Sequence, residues 1–194
     1  MSAAGGSRLS EVIAAGGVAV IGTDTVYGVC ADAENATAVQ RLLALKRRPD
    51  GKPAAVAFAS LDGVLAALPE LGTRTRAAVR ALLPGALTLL LPNPARRFPL
   101  AGGELLGVRV IAVDVDRPLL LTSANVSGEP DARTLAQVDP GLRAGADLVV
   151  DAGELPGTPS TVVDLGELES RGSWRIVREG ACTREAVERA LVGS

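Results

Sequence analysis

Apolar positions along this chain fall into short runs bounded by glycine, proline or small polar residues, and between those runs they recur at helical spacing. Leu9 to Ala15 reads as a short helix stopped by Gly16-Gly17. Val18 to Ile21 is an apolar run between glycines, the pattern of a buried strand, and Thr23 to Tyr27 follows as a polar, β-prone stretch. Asn35 is placed to cap a helix in which Val39, Leu42, Leu43 and Lys46 share a face. That helix must end before Pro49, because the residue preceding proline is pushed out of the helical backbone region. Ala54 to Ala59 predicts a second buried strand, Leu61 to Leu68 and Thr75 to Leu83 predict helices stopped by Pro69 and Pro84, and Leu87 to Leu91 predicts a third strand. Asn93 to Glu104 is loop. Strands are expected at Gly107 to Val113, Leu119 to Thr122, Leu148 to Val150, Thr161 to Leu165 and Arg175 to Val177, with a last helix from Arg184 to Leu191 capped by Thr183. Strands and helices are interspersed, without an internal repeat or a linker. The pattern predicts an α/β fold: one domain over residues 1–194 around a single twisted sheet.

Composition narrows the chemistry. Of 194 residues 47% are hydrophobic and only 2% aromatic, so the core is built from Ala, Val and Leu, and a platform for stacked nucleobases is not expected. Net charge is −2, which gives no overall basic field for nucleic acid. There is no histidine at all, which excludes Ser-His-Asp and Cys-His nucleophile systems, and the two distant cysteines, Cys30 and Cys182, do not make a zinc site. Neither GxxxxGK[ST] nor GxGxxG occurs. Met1 to Ser10 lacks a charged region followed by an apolar one, and the apolar runs near Val18 and Leu87 are too short to span a bilayer, so a cytoplasmic protein with no membrane association is expected. Chemistry must rest on hydroxyls, Lys, Arg, amides and carboxylates.

Five strings carry such groups. Thr23-Asp24-Thr25-Val26-Tyr27-Gly28 follows a buried strand, where side chains line a binding crevice or, as plain strand threonines, satisfy the backbone. Lys46-Arg47-Arg48-Pro49-Asp50-Gly51-Lys52-Pro53 gathers cations at a helix C-terminus, either to complement the helix dipole or to clamp phosphate. Ser123-Ala124-Asn125-Val126-Ser127-Gly128 offers hydroxyl, carbonyl and amide to a ligand, or forms a cap or turn. Ser160-Thr161-Val162-Val163-Asp164 and Arg178-Glu179-Gly180 complete the set.

In this order, with Pro84-Gly85-Ala86-Leu87-Thr88 and Val108-Arg109 between them, the strings resemble the YrdC-like threonylcarbamoyl-AMP synthase family from about Gly17 to Gly180. The resemblance implies an open, twisted mixed sheet flanked by helices around a large concave basic cavity. It implies an enzyme that joins L-threonine, bicarbonate and ATP into threonylcarbamoyl-AMP with release of pyrophosphate, for modification of the adenosine next to tRNA anticodons. By that resemblance Thr25, Ser123 and Ser160 contact threonine or its carbamate, and Arg48, Thr88, Asn125 and Arg178 contact ATP. Lys46 and Arg48 are the catalytic cations, and Arg109 and Thr23 lie in the same cavity. Mg2+ accompanies ATP, no metal is held by the protein alone, and no organic cofactor is needed. Downstream threonylcarbamoyl transferases are the implied partners, with weak or no direct tRNA binding.

The chain departs from the family pattern at Gly22, where a proline often stands, at Ala86 in place of a second proline, and at Lys52-Pro53-Ala54. The stretch from Val110 to Arg117 is too short for the helix usual there. Two other readings stand beside the synthase: a non-catalytic RNA-binding module using the same cavity, and a carbamoyl-adenylate enzyme drawing on carbamoyl phosphate.

Overall fold

The computed structural model describes residues 3–47, 54–125 and 129–192. The first elements are α1 (Ala3–Ala14), β1 (Ala19–Gly22), β2 (Tyr27–Asp32), α2 (Ala36–Leu45), β3 (Ala55–Phe58), α3 (Leu61–Ala67) and α4 (Thr73–Leu82). After them come β4 (Leu87–Pro92), β5 (Leu105–Val110), β6 (Leu119–Ser123), α5 (Pro140–Gly145) and β7 (Leu148–Val149). The last are β8 (Thr161–Asp164), α6 (Leu168–Arg171), β9 (Arg175–Arg178) and α7 (Arg184–Val192).

Local chemistry sets the boundaries. Helix α1 ends because Gly16 takes a left-handed backbone (φ 78°), which lets Gly17 N–H reach the Val12 carbonyl at 2.8 Å and Gly16 N–H reach Ile13 at 3.0 Å. Asn35 caps α2 by accepting from Ala38 N–H at 3.1 Å. Asp139 caps α5 by accepting from Leu142 N–H at 2.9 Å, with Pro140 in the first turn. Of the β-prone stretch Thr23 to Tyr27, residues 23–26 make the tight turn of the β1–β2 hairpin and only Tyr27 enters a strand. Thr23 Oγ1 accepts from Thr25 and Val26 N–H, both at 3.2 Å, and donates to the Val26 carbonyl at 2.7 Å. The hydroxyl thus offers the backbone a turn that competes with the ladder.

All nine strands join one open sheet in the order β7-β1-β2-β6-β3-β5-β4-β8-β9. Pairs β1–β7, β3–β5 and β4–β8 are parallel and the others antiparallel. Side chains alternate between its two faces. One face carries Val29, Val56, Leu89, Val108, Leu120 and Val163 into the larger core, under α2, α3 and α4. Each fully buried Val or Leu there contributes about 1.5–3 kcal/mol. The other face turns Ala19, Ile21, Cys30, Ala57, Leu119 and Leu121 against Leu9 and Ile13 of α1 and against Ile111 and Val115. The segment from Ile111 to Arg117 holds no helix, in line with its shortness. Among the described residues no helix is long and apolar enough to cross a membrane.

Candidate active site

The smaller-core face is only partly covered by α1, and beyond it the strands carry small residues. Gly28, Ala55 and Gly107 stand on this face where the opposite one has Val29, Val56 and Val108. A cavity of about 410 Å³ opens over them, within the range of small-molecule sites. Gly28 is closely packed there: a Cβ on it would lie 2.7 Å from Leu121 Cδ1, so the leucine would have to shift.

The cavity brings together, from four strands, the C-cap of α2 and three connecting segments, Thr23, Lys46, Thr88, Arg109, Ser123, Asn125, Ser160 and Arg178, all named from the sequence as site residues. Thr25 is fully buried and lies behind Arg109 rather than on the described wall. Arg48 lies outside the described residues.

Lys46 is the C-cap of α2 and is buried, its Nζ donating to the Ser123 carbonyl at the end of β6. Helix-dipole compensation by an exposed lysine therefore does not describe Lys46. Arg47, next in the chain, takes a left-handed backbone (φ 47°) and points to solvent. The helix thus ends at Leu45, before Pro49 requires it to.

On the opposite wall Thr88 of β4 and Ser160 share a hydroxyl–hydroxyl bond of 2.8 Å. Arg178 Nη2 donates to the Ser160 carbonyl at 2.6 Å and to its hydroxyl at 3.3 Å. Ser123 Oγ donates to Asn125 Oδ1 at 2.5 Å, and Asn125 Nδ2 donates to the Glu129 carbonyl. These bonds pre-orient the polar groups that a ligand would meet.

Between the walls sits Arg109 of β5, with a side chain 8% exposed. Its Nη2 donates to Asp24 Oδ1 at 2.6 Å and to Thr25 Oγ1 at 3.2 Å. Its buried Nε has no partner among the described residues. Burial lowers the Arg109 pKa; attraction to Asp24 opposes the drop and repulsion from Arg178 adds to it. An anion entering here would relieve the repulsion between these two like charges.

Two carboxylates complete the site. Asp24 anchors Arg109, and Asp131, half-buried, lines the cavity. The first lies within a string already singled out; no local pattern marks the second. Among the described residues no group of three or more His, Cys, Asp or Glu is placed to hold a metal ion.

An open α/β sheet with one face hollowed by small residues, where lysine, two arginines and several hydroxyls converge, makes a candidate site for a small polar ligand. The family model Sua5_yciO_yrdC, described as telomere recombination, matches residues 11–180. This chain belongs to the Sua5/YciO/YrdC family. A protein of Xanthomonas euvesicatoria pv. vesicatoria named threonylcarbamoyl-AMP synthase is 38% identical over 184 residues, covering 89% of this chain and 96% of its own. Its namesake from Pyrococcus abyssi is 29% identical over 182 residues, and the alignment covers 87% of this chain but 52% of that one. The crystal structure of P. abyssi Sua5 complexed with L-threonine superposes with a TM-score of 0.82 at 27% identity, over 94% of this chain and 56% of that one. This chain therefore spans only somewhat over half of the archaeal protein's length. E. coli YciO has the same fold, with a TM-score of 0.74 at 23% identity over 93% of this chain and 91% of that one.

Proposed function

We propose that this chain makes threonylcarbamoyl-AMP from L-threonine, bicarbonate and ATP, for threonylcarbamoylation of tRNA adenosine, and that it does so as a single domain. The observation that carries the reading is the buried Arg109 guanidinium, set between Lys46 and Arg178 in a cavity rimmed by hydroxyls. The relatives named threonylcarbamoyl-AMP synthase, and the Sua5 chain that binds L-threonine, support it.

The reaction needs no protein nucleophile, which suits a site without histidine. The threonine amine and bicarbonate give the carbamate with loss of water. A carbamate oxygen then attacks the α-phosphorus of ATP; the new P–O bond forms as the bond to the β-phosphate oxygen breaks, and pyrophosphate leaves with that electron pair. Catalysis is positioning plus charge neutralisation. Ser123 and Ser160 hold the amino acid or its carbamate, with Thr25 acting through Arg109. Lys46 and Arg48 neutralise the reacting phosphates, and Thr88, Asn125 and Arg178 with Arg48 bind the nucleotide. Mg2+ bound to the triphosphate supplies further neutralisation of the leaving pyrophosphate. The product passes to a threonylcarbamoyl transferase.

Amino-acid-stimulated pyrophosphate release, assayed without RNA, tests the reading. Threonine should stimulate, serine less, and leucine not at all, because losing one buried hydroxyl partner costs about 1–3 kcal/mol. Equal stimulation by leucine, or a strict requirement for tRNA, would sink it.

A further inference from the structure

Tyr27 is among the largest fully buried side chains, yet its hydroxyl does not serve the core. Its oxygen accepts from Ala152 N–H at 2.8 Å and lies 3.0 Å from Asp151 Oδ1 and 2.9 Å from the Gly153 carbonyl oxygen, the two acceptors open to its one proton. These partners belong to residues 150–160, a strap without regular structure that runs from β7, at one edge of the sheet, to β8, next to the opposite edge. The strap is also fastened at other points. Val150 N–H donates to the Val20 carbonyl at 2.9 Å, Leu155 N–H to the Arg133 carbonyl at 2.8 Å, Gly157 N–H to the Thr25 carbonyl at 2.9 Å, and Ala181 N–H to the Pro159 carbonyl at 2.8 Å. Arg133 also pairs with Glu154 at 2.8 Å, and Thr88 and Arg178 hold Ser160, so Tyr27 is the anchor of the segment from Asp151 to Gly153. Gly153 (φ 72°) and Gly157 (φ 83°) give it two left-handed bends. At its end Pro159 and Ser160 line the cavity.

Stability does not explain the hydroxyl. Asp151, Ala152 and Gly153 are exposed, so water can satisfy them, and a phenylalanine ring would fill the same core volume. What water cannot replace is the register of the strap over the hairpin that carries Thr25. We infer that Tyr27 is a positioning residue of the proposed active site, its hydroxyl fixing the strap so that Ser160 stays set toward the amino acid and Thr25 stays set behind Arg109. The inference rests on the proposed function for its substrate, but not for its structural content.

The test is Tyr27→Phe in the full chain, with three readouts. Glu-C protease cleavage after Glu154, in the strap, should speed up about fivefold or more through local opening, while cleavage after Glu104, in a distant exposed loop, stays unchanged. The KM for threonine should rise about fivefold or more with kcat within about twofold, the signature of lost substrate positioning. The thermal midpoint should hold within about 2 °C, since only solvent-replaceable bonds are lost. Wild-type cleavage after Glu154, or an unchanged KM despite faster cleavage, overturns the inference. So does a joint fall in kcat, midpoint and protection at both glutamates, which would mark a general structural role. A wild type inactive with threonine would defeat the proposed function, while the ratio of Glu154 to Glu104 cleavage would still decide whether Tyr27 holds the strap.

Discussion

Replacing Arg109 and replacing Asp24 should have opposite profiles, although the two form one ion pair. The pair spans 2.6 Å, but its members differ in exposure, with side chains 8% and 37% accessible. At an effective dielectric near 20 two charges this close attract by about 6 kcal/mol, most of which desolvation of Arg109 offsets. In Arg109→Met the stranded carboxylate can hydrate, so the cost to stability should be about 1–2 kcal/mol, or roughly 2–8 °C in Tm for a chain of this size. In Asp24→Asn the stranded cation cannot hydrate and still faces Arg178, so the loss should move toward the 3–5 kcal/mol, in round terms, of a broken buried pair. Activity should rank the other way. Arg109→Met loses a charge-assisted ligand contact of about 1.5–3 kcal/mol, lowering threonine-dependent kcat/KM about 10- to 150-fold. Thermal melts and pyrophosphate-release kinetics on both variants suffice. The reasoning fails if Arg109→Met keeps wild-type kcat/KM, or if Asp24→Asn is the more stable of the two.

Arg48→Ala should weaken ATP binding or turnover by about 1.5–3 kcal/mol with folding nearly intact, Arg48→Lys should rescue poorly, and solvent-exposed Arg47→Ala should do little; a worse defect in Arg47→Ala would remove the clamp. Gly72→Ala should lower Tm, because a Cβ there would lie 2.2 Å from Glu169 Cδ and displace the carboxylate that accepts from Thr75 N–H at 2.9 Å in the first turn of α4; a melt unchanged from wild type refutes this. Asp147, held by Arg41 and by Val18 N–H, has its pKa lowered by those bonds. Its folded value lies below the unfolded one, so its stabilisation is present above the ordinary carboxylate range and is lost as pH falls through the folded value. Asp147→Asn should therefore flatten the acid limb of stability below about pH 4 by less than about 1 kcal/mol, and an unaltered limb in acid titration would contradict it.

Much of this architecture could be read from local pattern, because local physics decides it. Asn35, Thr183 and the prolines set helix ends through one or two bonds within a few residues. Glycine-bounded runs such as Val18 to Ile21 became strands near their expected places. The Thr23–Tyr27 stretch misled because threonine favours strands as a class, whereas the Thr23 hydroxyl here closes a turn, which also hid β2 behind it. Helices α5 and α6 were missed for their brevity, although Asp139-Pro140 marks the start of α5. At the site, motif order located Thr88, Ser160 and Arg178, but not their mutual bonds. Tyr27 meets Asp151 across 124 positions of sequence, and Asp131 faces the cavity only because the chain returns beside β2 through the bond from Tyr27 N–H to the Ala132 carbonyl. No periodicity encodes such pairings.

Synthesis of threonylcarbamoyl-AMP can be followed by incubating the purified chain with ATP, Mg2+, L-threonine and carbon-labelled bicarbonate, without RNA, and tracking label and pyrophosphate together. Labelled threonylcarbamoyl-AMP should form one-for-one with pyrophosphate, and neither product should appear when threonine or bicarbonate is left out. Pyrophosphate released independently of both, or ATP cleaved to ADP and phosphate with no labelled adenylate, would contradict the proposed function.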